Sequence, residues 1–168
     1  MAGLSFLRLV SGRITEILGI QTSAGAGDAG KIPALDSTGR FDTSMMPVGV
    51  VADTATVTTS EALAAGDWVN IHNSSGAKVR KADATVQGKE ADGFVLAAAS
   101  SAASALVYFE GRNTQVSGQT VGPVYLQTTA GLGGATVPSA SGNVVQRVGV
   151  AVSATEVNFQ RGEPVTLV

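Results

Sequence analysis

Large apolar side chains recur near the start of the chain as Leu7, Val10, Ile14 and Ile17. Spacings of three, four and three put them on one stripe of a heptad-like seam, which predicts an amphipathic helix within residues 1–18. Gly12 lowers helix propensity by about 1 kcal/mol relative to Ala, and two heptads do not hold a coiled coil by themselves. The helix therefore requires its stripe to be buried against a partner or the protein's own body. Gly19 is the expected stop.

Residues 19–30 are almost all small or polar, the composition of a flexible tether. "KIPALDSTGRFDTSMMP", residues 31–47, reads as an extended arm with a defined bend. Pro33 opposes helix, and Asp36-Ser37-Thr38-Gly39 has strong turn chemistry, with Asp36 and Asp42 suited to capping. The arm's Ile32, Leu35, Phe41, Met45 and Met46 are spaced so that an extended chain presses them onto a neighbouring surface. Tether and arm together make a segment over 19–49.

From about residue 50 the pattern changes to short runs of β-formers, among them "DWVNIH", "AKVRKA", "ALVYFEG" and "VVQRVGVAVS". Turn signals such as Asn73-Ser74-Ser75-Gly76 and Gly131-Leu132-Gly133-Gly134 separate them. The expected fold is mainly β: a small antiparallel β-barrel or β-sandwich over 50–168, preceded by the N-terminal helix and the extended arm.

Composition narrows the function. The 168 residues are 44% apolar, weighted towards Ala and Val, with 5% aromatic residues and 21 glycines. This suits thin β-structure better than a deep catalytic core. The formal net charge is −2 and 14% of residues are charged, so there is no basic footprint for nucleic acid. Without cysteine, neither a disulfide framework nor a thiolate metal site forms. Arg8, Arg13 and Glu16 interrupt the apolar N-terminal run, so neither a signal peptide nor a membrane span is expected, and synthesis in the cytoplasm is.

Candidate chemistry is sparse. "SAGAGDAGKIPALD", residues 23–36, satisfies G-x-G-x-x-G at Gly25, Gly27 and Gly30, and G-x-x-x-x-G-K ending at Lys31. A phosphate loop needs a helix N-terminus after it and a magnesium-binding hydroxyl. Pro33 opposes the helix, Ile32 replaces the hydroxyl, and Asp28 sets a carboxylate beside any phosphate. His72 is the sole histidine and reads as a solvated strand-end residue. Asp28, Asp36, Asp42 and Asp53 are too widely spaced for a calcium loop. Asn73-Ser74-Ser75 is read as a turn rather than a glycosylation acceptor. Trp68, Tyr108, Tyr125 and Phe159 are expected in the core rather than on a sugar platform. Glu90, Asp92 and Glu110 have no spacing that makes a glycosidase pair. No catalytic, cofactor or metal-ligating residue is assigned. The expected partner interface is Leu7, Val10, Ile14, Ile17, Ile32, Leu35, Phe41, Met45 and Met46.

"GKIPALDSTGRFDTSMMP" resembles a short linker that recurs in structural proteins of tailed bacteriophages. The remainder, with "ALAAGDWVNI", "AKVRKADA", "ADGFVLAAA", "VYLQTTAGLGG" and "GNVVQRVGVAVSATEVNF", is similar to phage virion proteins of the capsid decoration (cement) or head-fibre type. The resemblance covers roughly residues 12–168. It implies a non-enzymatic virion component on the capsid surface, a homo-oligomer, most simply a trimer, that binds the major capsid protein and stabilises the head shell. It implies no cofactor, nucleic acid or membrane partner. Tail-fibre proteins use the same linker, so a tail-fibre or receptor-binding module is the alternative.

Overall fold

A computed structural model describes residues 5–47 and 52–168. The chain divides into two compact units, Met1–Val51 and Ala52–Val168. The expected change from arm to body at 49/50 and the first four residues of the expected helix lie outside the described residues. The protein is mainly β, 41% strand and 4% helical. Among the described residues no helix is long and apolar enough to cross a membrane.

The first unit corrects the helix expected over 1–18. Strands β1 (Ser5–Val10) and β2 (Arg13–Leu18) form an antiparallel hairpin, with Phe6 opposite Ile17, Leu7 opposite Glu16 and Leu9 opposite Ile14. The cause lies in the two connecting residues. Ser11 and Gly12 have φ of 50° and 79°, the two positive values that a type I′ turn requires and that a helix cannot contain. Ile14, Thr15 and Ile17 are β-branched and favour the extended chain.

The tether is ordered too. Ile20 and Pro33 form a parallel bridge, in which the Ile20 N–H donates to the Ile32 carbonyl (2.9 Å) and the Ala34 N–H to that of Ile20 (2.8 Å). The bend follows at Asp36, whose Oδ1 accepts from the N–H of Thr38 (2.8 Å), its hydroxyl (2.7 Å) and the N–H of Arg40 (3.0 Å). Asp42 caps a short 3-10 turn, Thr43–Met45, accepting from the Ser44 N–H at 2.9 Å.

The second unit contains β3 (Thr54–Thr59), β4 (Trp68–Asn73), β5 (Ala77–Lys81), β6 (Gly93–Val95), β7 (Ser104–Tyr108), β8 (Gly111–Asn113) and β9 (Gly122–Leu126). It continues with β10 (Gly133–Gly134), β11 (Val144–Val145), β12 (Arg147–Ser153), β13 (Glu156–Phe159) and β14 (Val165–Thr166). Five strands close a barrel in the order β3-β5-β4-β6-β7, and five make a sheet in the order β10-β9-β12-β13-β8. The barrel is not wholly antiparallel as expected: it closes through a parallel pairing of β3 with β5 at Thr58–Lys78 and Thr59–Val79. The β4–β5 hairpin turns at Ser74–Gly76, where the Gly76 N–H donates to the Asn73 side chain at 3.2 Å.

Strand alternation builds two apolar layers. Val69, Val79, Val95, Ala105 and Val107 cluster inside the barrel. Trp68 and Phe94 lie one position away on β4 and β6, and point instead to Val124, Leu126, Val148, Val157 and Phe159 of the sheet. Their rings meet edge to face at 5.9 Å, and Trp68 lies 5.4 Å from Phe159. Between barrel and sheet Gln146 is fully buried, and its amide exchanges hydrogen bonds with the Ala91 backbone (2.7 and 2.9 Å) while donating to the Gly162 carbonyl at 3.3 Å.

Candidate partner-binding unit

Pairing in the first hairpin sorts its side chains onto two faces. Phe6, Arg8, Val10, Arg13, Thr15 and Ile17 share one face; Ser5, Leu7, Leu9, Ile14, Glu16 and Leu18 share the other. The first face is turned to its own unit: a Cβ at Gly19 would lie 2.8 Å from the Phe6 ring and 2.9 Å from the Ala34 Cβ, so the ring sits on a bare glycine. Arg8 also reaches the Gly30 carbonyl at 3.4 Å. Within the described residues of its own unit the second face is uncovered. Leu7, Leu9, Ile14 and Leu18 retain 78, 68, 75 and 67% of their accessible surface. A two-stranded hairpin is marginal in water, and four adjacent aliphatic side chains are a patch that a partner normally covers.

The stripe expected on a helix is thereby split. Leu7 and Ile14 stand on the outward face, Val10 and Ile17 on the inward one, and Leu9 and Leu18 join the outward set unforeseen. The period-2 signal was present in Leu7-Arg8-Leu9-Val10, but it overlapped a helical spacing equally well satisfied.

Downstream, the Ile20–Pro33 bridge and the Asp42 cap fold the arm into a cleft of about 330 Å³. Ile20, Pro33, Phe41, Met45 and Met46 supply its apolar walls, with Ser23, Asp28 and Lys31 on the polar side. Of the arm residues expected at an interface, Phe41, Met45 and Met46 are brought together here. Ile32 is half-buried and Leu35 exposed, and neither lines the cleft. The glycine-rich loop is committed to the same wall. Its single 3-10 turn, Ala26–Asp28, is tied down by Asp28, which accepts from the Ala24 N–H (2.6 Å) and from Lys31 Nζ (2.5 Å). The Asp28 carboxylate thus occupies both a backbone N–H and the lysine that a phosphate would use. The Lys31 ammonium, followed by the Ala24 N–H, holds its pKa below the ordinary 3.8.

His72, Glu90 and Asp92 of the body have structural roles, whereas among the described residues no side-chain bond is formed by Glu110. His72 Nε2 lies 2.9 Å from Ser60 Oγ, which also lies 3.2 Å from the Val79 carbonyl. With the hydroxyl donating to that carbonyl, the imidazole donates to the serine, the reverse of general-base activation. Burial, then the nearby Arg80, lowers the imidazole pKa from 6.5. Asp92 accepts from the Ile71 N–H (2.8 Å) and pairs with Arg161 (3.1 Å), while Glu90 folds onto the Gly88 N–H at 3.0 Å. Among the described residues no group of three or more His, Cys, Asp or Glu side chains is placed to hold a metal. Trp68 and Phe159 are 1% and 5% exposed, so they form no platform. Compared with protein-family models, curated proteins and solved structures, the chain matches none.

Proposed function

We propose that the protein is a non-enzymatic component of a tailed-phage virion, fixed to the major capsid protein by its N-terminal unit, with the β-body displayed on the head shell. The observation that carries this reading is the outward hairpin face of Leu7, Leu9, Ile14 and Leu18, four aliphatic side chains left in water by their own fold. Supporting it, the arm that follows is the segment resembling phage virion linkers, and His72, Glu90 and Asp92 of the body are engaged in structural bonds. Bridging adjacent capsid subunits would oppose the outward pressure of packaged DNA. Copies act as a trimer, which matches threefold sites on a shell.

Sedimentation with undecorated capsids tests this. The parent protein should pellet with heads. Leu9→Asp/Ile14→Asp, which places two carboxylates across one cross-strand pair, should remain in the supernatant while keeping its β-type circular dichroism. Retention of the double variant by capsids would remove the hairpin as the anchor. Binding of the parent to tails but not heads would favour the tail-fibre alternative.

A further inference from the structure

We infer that the outward hairpin face docks on an apolar surface of its partner that carries one basic residue, an arginine or lysine placed to meet Glu16. This rests on the preceding reading in taking that face as the anchor, and adds the chemistry of what the face meets. Three cross-strand rungs make the face: Ser5 with Leu18, Leu7 with Glu16, and Leu9 with Ile14. Glu16 therefore stands on the middle rung, opposite Leu7 and between Ile14 and Leu18 along β2. It is the single charged side chain of the face, because Arg8 and Arg13 belong to the other side of the hairpin.

That charge is unspent. Glu16 is exposed and forms no ion pair or side-chain hydrogen bond among the described residues. The ion pair of this unit joins Lys31 to Asp28, and Arg8 is turned to the Gly30 carbonyl. In the free protein water solvates the carboxylate. Docking changes this, since a partner that covers Leu7, Leu9, Ile14 and Leu18 also strips water from the acid among them. A desolvated carboxylate without a counter-charge opposes binding strongly. A cation opposite it removes that penalty, and a guanidinium does so with two parallel hydrogen bonds. The same reasoning excludes two other occupants. A second copy of this face offers only aliphatic side chains, Ser5 and another Glu16, and an anionic membrane repels the acid, so the face is neither where copies of the chain meet nor a lipid contact.

Substitution of Glu16 reads the partner's charge by the sign of its effect. With a cation opposite, Glu16→Leu strands that cation and weakens attachment about tenfold in spite of the added apolar area. On a purely apolar partner surface the same change tightens attachment about tenfold, as one more buried leucine does. Sedimentation of the full chain with graded amounts of undecorated capsids measures the difference, with circular dichroism showing that each variant keeps its β-type spectrum. Glu16→Gln should bind about 30-fold more weakly than the parent, Glu16→Lys should not pellet, and Glu16→Asp should lose less than Glu16→Gln. Light scattering should show the oligomeric state of all of them unchanged. Glu16→Leu binding as tightly as the parent or more tightly, while Leu9→Asp/Ile14→Asp stays in the supernatant, would overturn this inference and leave the hairpin as the anchor. Capsids that retain Leu9→Asp/Ile14→Asp would remove the anchor and the inference with it.

Discussion

Gln146→Leu should weaken the body more than any surface change, because the side chain it removes acts as a piece of β-ladder between two layers. The Gln146 amide accepts from the Ala91 N–H at 2.7 Å and donates to the Ala91 and Gly162 carbonyls at 2.9 and 3.3 Å. Leucine fills a similar space but makes none of these bonds. The Ala91 N–H, buried and without its partner, costs about 1–3 kcal/mol, and the two carbonyls add less, since each has lost one acceptor interaction. Added apolar contact offsets part of this, leaving a loss of about 3 kcal/mol out of a typical 5–15. For a domain of this size, roughly 4 °C per kcal/mol lowers Tm by about 12 °C. Urea unfolding followed by emission of Trp68, the sole tryptophan and 1% exposed, measures the change. Gln146→Glu sharpens the test. Burial raises the folded-state pKa of that carboxyl, so its stability should be greatest in mild acid and fall as pH rises past about 4.3, the unfolded value. A loss below about 1 kcal/mol for the leucine variant, or a glutamate variant indifferent to pH, would refute the ladder argument.

Other outcomes follow from the N-terminal unit. Leu9→Asp/Ile14→Asp should leave the stability of the second unit within about 0.5 kcal/mol of the parent and weaken the hairpin itself by like-charge repulsion across the Leu9–Ile14 pair, while costing capsid attachment about 2–4 kcal/mol from the two lost burials. Gly12→Ala separates hairpin from helix: at φ of 79° alanine costs about 1 kcal/mol and should reduce cross-strand NOEs between Leu9 and Ile14, whereas a helix would gain helicity. Ser11→Asn, giving the favoured Asn-Gly turn, should strengthen the same NOEs. Asp28, Asp36 and Asp42 all have pKa values held below 3.8, chiefly by side-chain hydrogen bonds from Lys31, Thr38 and Ser44 respectively. Their folded values lie below the unfolded ones, so this stabilisation is present above pH 3.8 and lost as pH falls below it through the folded values. Met45 and Met46 methyl resonances, next to the Asp42 cap, should accordingly begin to move as pH falls below 3.8.

Local chemistry made much of this protein legible from its sequence. The runs around Trp68, Val79, Val107 and Val148 are strands because β-branched and aromatic residues alternate between turn residues, and Asn73–Gly76 turns where its side chains dictate. The Asp36 bend was equally readable, since the carboxylate bonds only within the next four residues. The first hairpin was not. Leu7, Val10, Ile14 and Ile17 satisfy a helical stripe, while Leu7, Leu9, Ile14 and Leu18 satisfy a strand face, so periodicity alone supports both. The choice fell to the Ser11-Gly12 turn and to the seat that Gly19 and Ala34 offer the Phe6 ring. The cleft depends likewise on the bridge between Ile20 and Pro33, which draws the Asp28–Lys31 wall towards the arm. Closure of the barrel by β3 against β5 and the bonds from Gln146 to Ala91 join residues distant along the chain. No local pattern encodes such pairs, because the free energy that selects them arises only when both layers are packed and their buried polar groups must find partners.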